Sequence, residues 1–174
     1  MYIDLTPDQK TLRNTLRSYF DNLMTPEIKA TVSGMEGGAK YREMIRQIGK
    51  DGWLGVGWPK EFGGGGMTMV EQMIFLEEQR RSGAPFPFVT VSTVGPALMD
   101  YGTPEQKAEF LPRILAGECH FSIGYSEPNA GTDLASLSTA AVQDGEDWVF
   151  TGTKMFTSGE TATHYTWLAV RTHH

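Results

Sequence analysis

Residues 124–136 read Gly124-Tyr125-Ser126-Glu127-Pro128-Asn129-Ala130-Gly131-Thr132-Asp133-Leu134-Ala135-Ser136. We call them the signature loop. Small, hydroxyl-bearing and turn-forming side chains follow one another here in an order that packing alone does not explain. A second segment also combines glycine with hydroxyl-bearing residues: Gly152-Thr153-Lys154-Met155-Phe156-Thr157-Ser158. The class of the fold depends on what surrounds these two segments.

Short strands are predicted around both segments. From Phe121 onward Thr, Val, Trp and Phe cluster in runs bounded by glycine and acidic turns, which is typical of strands. Residues 138–143 and 148–153 flank Asp144-Gly145, a pair that favours a hairpin, and residues 165–170 are a third strand candidate. Three or four strands leave unpaired edges. We therefore expect that another chain covers them or that this chain is truncated.

Helices are predicted upstream of the strands. Thr6, Thr25 and Thr103 each precede a proline, and Thr68 precedes Glu71 at capping-box spacing, so each threonine indicates a helix start. Apolar residues at helical spacing indicate two further helices, one through Tyr41, Met44, Ile45 and Ile48 and one through Val94, Leu98 and Tyr101. The helix after Thr68 has Val70, Met73, Ile74 and Glu77 in register. Residues 52–66 form a loop with aromatic anchors, and Pro112 is expected to bend or end the last helix.

The sequence therefore predicts an α+β protein. An all-α helical domain spans residues 1–119, and the start of a β domain spans residues 120–174. The β domain is incomplete within this length.

Composition excludes several kinds of partner and site. The 174 residues include 21 acidic and 15 basic side chains, a net charge of −6, which argues against binding to nucleic acid. Lone Cys119 excludes an intrachain disulfide, and His120 and His164 lack the spacing of metal ligands, so no metal is expected. The longest uncharged stretch, residues 82–99, contains prolines and does not predict a membrane span. The N-terminus lacks a secretory pattern, which favours the cytoplasm.

The signature loop resembles the signature of the acyl-CoA dehydrogenase family. That pattern runs through Ser/Thr-Glu, then a small residue, Gly, Ser/Thr and Asp. The second segment resembles another stretch of the same family, as do residues 57–64 and 101–117. The chain departs from the family at Tyr125, where an aliphatic residue is usual, and at Phe156, where Trp is usual.

The resemblance implies a bound FAD. It places Ile123, Tyr125 and Ser126 at the pyrimidine side of the flavin ring. Phe156 would pack against the ring and Ser158 would approach N5. Hydroxyl and backbone donors suit this task, because a flavin that accepts hydride gathers negative charge toward N1 and O2.

The resemblance also implies an acyl-CoA substrate. Gly131 would allow close backbone approach and Thr132 would supply a hydroxyl, while Asp133 and Glu127 are expected to stabilise the loop as acceptors. The reaction would be α,β-dehydrogenation of an acyl-CoA thioester. The family's base is a carboxylate of a C-terminal helical bundle, beyond residue 174, so no catalytic residue is assigned in this chain.

The resemblance is compatible with more than one assembly and function. The family is commonly tetrameric, and an electron-transfer protein is the expected acceptor. Acyl-CoA oxidases and flavin monooxygenases share the fold. The chain also looks similar to actinobacterial dehydrogenases of steroid side chains, in which unlike subunits share sites, so it could be a partner subunit without a complete active site. A non-catalytic interaction module, suggested by Tyr125 and Phe156, is a third alternative.

Overall fold

The computed structural model describes residues 4–157, 159 and 163–172. The chain separates into two compact units, one ending at His120 and the other beginning at Phe121. The first is helical and the second contains the strands, so the α+β class predicted from the sequence is confirmed.

Within its described residues, the first unit contains six α-helices. They are α1 (Pro7–Leu23), α2 (Pro26–Val32), α3 (Ala39–Lys50), α4 (Met69–Ser82), α5 (Gly95–Tyr101) and α6 (Pro104–Leu115). The predicted threonine caps are confirmed: Thr6, Thr68 and Thr103 form capping boxes, and Thr25 accepts from the backbone of Ile28. Each cap satisfies N–H groups that the first helical turn leaves without a partner.

The core of this unit lies where α1 meets α4. The rings of Phe20 and Phe75 are 5.7 Å apart, and both side chains are almost completely buried. The expected register of α4 is only partly right. Ile74 is buried, but Val70 and Met73 are 40% and 47% exposed.

A buried carboxylate, that of Glu78, lies on the inner face of α4. Glu78 is 2% exposed, and its two oxygens accept from Arg17 at 2.7 Å and from Arg81 at 2.7 Å. The bond from Arg17 is the main cause that lowers the pKa of Glu78. Pairing with two guanidinium groups compensates for the desolvation of the carboxylate, so the buried face of α4 is not purely apolar.

The aromatic loop is anchored on an irregular turn. A short π-helix, Thr90–Val94, precedes α5, and the N–H of Gly95 donates to the carbonyl of Thr90. The next carbonyl, that of Val91, would need the N–H of residue 96, which is a proline. The indole Nε1 of buried Trp58 donates to the Val91 carbonyl instead, at 3.0 Å. This tryptophan therefore fixes residues 52–66 to the start of α5.

Proline within α6 does not end the helix. Pro112 lies inside Pro104–Leu115, so the helix continues for three residues after it. Gly117 follows with φ of 70°, and a Cβ on this glycine would lie 2.8 Å from the carbonyl oxygen of Ile45. The helical unit thus closes against α3 at a position where only glycine fits.

In the part of the second unit that the structure describes, there are four short strands. Parallel β1 (Phe121–Gly124) and β4 (Tyr165–Leu168) pair with Ile123 opposite Trp167, and antiparallel β2 (Ala140–Asp144) and β3 (Asp147–Thr151) form a hairpin. The predicted hairpin and third strand are confirmed. Each hairpin strand is one residue shorter than predicted and extends one residue closer to the turn, and the third strand ends at Leu168. Gly145 has φ of 64° at the first position of the turn, as in a type II′ turn.

Among the described residues, no helix is both long and apolar enough to span a bilayer.

Candidate functional site

The signature loop begins where β1 ends. Ile123 lies in β1 and is half-buried, and the half-buried Tyr125 and Ser126 follow directly after the strand. Of these three residues, which were expected at a flavin, Ile123 is held by the pairing of β1 with β4, and the other two follow the paired strand directly. Within the described part of the chain, the Ser126 hydroxyl makes no hydrogen bond.

Glu127 closes the signature loop on the residues that lead into β2. Its Oε2 accepts from the backbone N–H of Ser138 at 2.7 Å and from the Ser138 hydroxyl at 2.8 Å. Its Oε1 accepts from the backbone N–H of Thr139 at 2.9 Å. The expectation that Glu127 stabilises the loop as an acceptor is confirmed, and its side chain is only 4% exposed.

Lys154 joins the second segment to this carboxylate. Its Nζ donates to Glu127 Oε1 at 2.8 Å and to the carbonyl of Tyr125 at 3.1 Å. The hydrogen bond from Lys154 is the largest cause that lowers the pKa of Glu127 far below its usual range. A carboxylate that accepts four hydrogen bonds remains ionised and is a poor proton acceptor at neutral pH.

The second segment also bonds to the loop through its backbone. The N–H of Met155 donates to the carbonyl of Ser126 at 2.8 Å. Phe156 follows with φ of 58°, in the left-handed region, and its side chain is 83% exposed. A bulky residue rarely adopts this conformation, which recurs at functional sites. The structure thus brings Ser126 and the segment carrying Phe156 together.

Gly131 and Thr132 lie on the exposed side of the signature loop. A Cβ built on Gly131 would meet nothing within 4 Å, and its φ is not positive. Neither packing nor backbone conformation within the described chain requires glycine here. The neighbouring Asp133 shapes the turn, as expected, but with its backbone carbonyl, which accepts from the Ser136 hydroxyl at 2.8 Å and from the Ser136 N–H at 3.2 Å.

Ser158, the remaining residue expected at the flavin, lies outside the described residues. Sequence reasoning missed two other residues, Lys154 and Arg171. Arg171 donates through Nε to the carbonyl of Leu137 at 2.5 Å and through its guanidinium to the carbonyl of Ala135. The only sequence feature that could have indicated them is a positive charge in a region with few other charges. The sequence does not indicate which carbonyl or carboxylate each cation contacts.

Two segments therefore meet around one carboxylate, that of Glu127, whose two oxygens are both occupied by hydrogen-bond donors. The profile of the acyl-CoA dehydrogenase N-terminal domain matches residues 6–118, and that of the middle domain matches residues 122–174. The chain belongs to the acyl-CoA dehydrogenase family.

Individual relatives are similar over almost the whole chain. Acyl-CoA dehydrogenase FadE26 of Mycobacterium tuberculosis is 56% identical over 99% of this chain and 44% of its own length. A chain in the crystal structure of the ChsE4-ChsE5 complex from the same organism is 56% identical with a TM-score of 0.93, covering 99% of this chain and 45% of that chain. A chain of the Tcur3481-Tcur3483 steroid ACAD is 51% identical with a TM-score of 0.91, with the same two coverages. The chain therefore spans less than half the length of these relatives.

Proposed function

We propose that the full-length protein containing this chain is an FAD-dependent acyl-CoA dehydrogenase that introduces an α,β double bond into an acyl-CoA thioester. The observation that carries the proposal is the bond from Met155 to Ser126, reinforced by Lys154 and Glu127. It brings together the two segments that the family uses for flavin. Family membership and the relatives' names support the same conclusion.

The residues at the site fit an isoalloxazine ring. Phe156 presents an exposed aromatic face from a strained backbone, and the Ser126 hydroxyl has no acceptor within the described chain. An exposed ring gains by stacking, and a hydroxyl donor stabilises negative charge at the pyrimidine side. We assign Ile123, Tyr125, Ser126, Phe156 and Ser158 to the cofactor.

The acyl-CoA would lie along Gly131 and Thr132. Since the chain's own packing does not demand glycine at 131, a requirement for it would come from a molecule that approaches the backbone closely. The adjacent Thr132 is exposed and offers its hydroxyl to the same molecule. This part of the site would orient the thioester and leave the acyl group to residues elsewhere.

The chemistry divides between this chain and the rest of the protein. Bound FAD supplies the acceptor for the hydride that leaves the β carbon of the substrate. Glu127 does not remove the α proton, because its two oxygens are occupied by Ser138, Thr139 and Lys154. We place the catalytic base beyond residue 174 and propose an electron-transfer protein as the final acceptor.

The test is the visible absorption spectrum of the full-length protein before and after anaerobic addition of an acyl-CoA. An oxidised flavin band that bleaches on addition is the expected result. A protein that never binds FAD, even when produced with candidate partner chains, would refute the proposal and favour a non-catalytic role.

A second candidate is a subunit of a heteromeric dehydrogenase that acts on the side chain of a steroid-CoA. Identities of 56% and 51% to chains of the ChsE4-ChsE5 complex and of the Tcur3481-Tcur3483 steroid ACAD favour it. The test is co-expression with related chains, followed by native mass spectrometry and comparison of steroid-CoA with straight-chain acyl-CoA substrates. A homotetramer that carries FAD in every subunit and oxidises only straight-chain thioesters would exclude this candidate.

A further inference from the structure

Lys154 is a largely buried cation at the junction of the two segments. Its side chain is only 10% exposed, although lysine is among the residues that folding buries least often. Burying an ammonium group is unfavourable unless it is paired and hydrogen-bonded. Both conditions are met by Glu127 and by the Tyr125 carbonyl.

The signature loop does not depend on this lysine for closure. Ser138 and Thr139 already provide three donors to the Glu127 carboxylate, and they hold the loop against the residues that enter β2. What Lys154 adds is a link between the loop and the second segment. Its contacts are therefore better suited to positioning that segment than to closing the loop.

The group that Lys154 could position is the ring of Phe156, two residues further along the chain. Met155 bonds to the Ser126 carbonyl, and Phe156 comes next with its positive φ and its exposed ring. A left-handed phenylalanine persists only where neighbouring structure holds it. The bonds of Lys154 and Met155 lie directly before Phe156 and are suited to hold it.

We infer that Lys154 is a positioning residue that sets the Phe156 ring relative to Ser126, acting through the Tyr125 carbonyl and Glu127. This inference rests on the proposed function, because the flavin is what Phe156 and Ser126 would both contact. Lys154 itself transfers no proton or electron in this role.

The experiment measures FAD affinity and the visible circular dichroism of bound flavin in the full-length protein. Lys154→Met keeps the methylene chain and removes the donors, Lys154→Arg keeps the charge, and Lys29→Met changes an exposed lysine of α2 as the matched control. If Phe156 occupies its binding position about one-tenth of the time without Lys154, FAD affinity falls about tenfold. We expect this loss in Lys154→Met, partial recovery in Lys154→Arg and no change in Lys29→Met.

A double-mutant cycle separates positioning from general stability. Combined with Phe156→Ala, Lys154→Met should have less than half its effect on the logarithm of FAD affinity, since the ring it positions is gone. If Lys154→Met does not fold, Lys154→Gln, which retains a donor for the Tyr125 carbonyl, replaces it in the same cycle.

The outcomes distinguish this inference from the proposed function. The positioning role alone is overturned if the parent protein binds FAD and the Lys154 variants bind it equally well. It is also overturned if the losses of FAD affinity in Lys154→Met and Phe156→Ala are additive. A parent protein that binds no FAD overturns both.

Discussion

Trp58→Phe should destabilise the helical unit because it leaves one buried carbonyl without its hydrogen-bond donor. The Trp58 indole bonds to the Val91 carbonyl at 3.0 Å, and both residues are almost fully buried. Gly95 has already given its N–H to Thr90, and Pro96 has none to give. Phenylalanine would fill most of the indole's space but would leave the Val91 carbonyl without this donor.

The expected magnitude follows from two contributions. A buried carbonyl that loses its partner costs about 1–3 kcal/mol. Removing the pyrrole part of the indole from a packed site adds about 1 kcal/mol through lost contacts and a residual cavity. Close packing here is evident at Gly95, where an added Cβ would overlap the Trp58 ring. Together the two contributions predict a loss of about 2–4 kcal/mol in the free energy of unfolding.

The assay is urea unfolding followed by far-ultraviolet circular dichroism, which reports mainly on the helices. The matched control is Trp53→Phe. Trp53 is half-exposed and packs against Tyr19 with ring centroids 5.9 Å apart, so the same chemical change there should cost about 1 kcal/mol or less. Equal losses for the two variants would refute the role assigned to the Val91 carbonyl.

Replacing Pro96 tests the same hydrogen bond by offering the Val91 carbonyl a second possible donor. Pro96→Ala supplies an N–H that can reach the Val91 carbonyl in a π turn. In a double-mutant cycle, Trp58→Phe should then cost at least about 1 kcal/mol less in the Pro96→Ala background than in the parent. Strict additivity would show that the loss comes from ring volume and not from the hydrogen bond.

Two further sets of variants test the ion pairs and the glycines. Glu78→Gln should lower the free energy of unfolding by about 1–3 kcal/mol at neutral pH, measured by urea titration. Because the bond from Arg17 lowers the folded-state pKa of Glu78, its stabilisation is present above about pH 4.3 and is lost as the pH falls toward the folded pKa; a parent and a Gln variant with equal acid sensitivity would contradict this. Gly152→Ala should speed hydrogen exchange in the β2–β3 hairpin, because its Cβ would lie 2.7 Å from the Cα of Thr139. Gly131→Ala should change stability by less than about 0.5 kcal/mol yet weaken binding of acyl-CoA to the full-length protein, measured by calorimetry, and unchanged binding would remove Gly131 from the proposed site.

Local signals in the sequence predicted the starts of four helices. A threonine followed by proline, or by a glutamate three residues later, satisfies its own helix end, so Thr6, Thr25, Thr68 and Thr103 could be recognised without knowing the tertiary structure. The hairpin at Gly145 was also predictable, because the turn depends on residues next to one another in the sequence.

Features that depend on distant residues could not be predicted in this way. The buried face of α4 includes Glu78 because Arg17 reaches it from α1, 61 residues earlier. The π-helix Thr90–Val94 likewise depends on Trp58, which lies 33 residues before the carbonyl it contacts. Hydrophobic periodicity describes one helix at a time and contains no information about such partners.

The candidate site shows the same division between local pattern and distant contact. Family resemblance singled out Ser126 and Phe156 as residue types in order, but Lys154 became a candidate only when its contacts with Tyr125 and Glu127 were seen. Those contacts also decide what Glu127 can do. A carboxylate with four donors is fixed as an anion, so it serves as a structural anchor and is poorly suited to accept a proton. Under the proposed function, the chain would supply positioned contacts for a ring and a thioester, and proton removal would come from residues outside it.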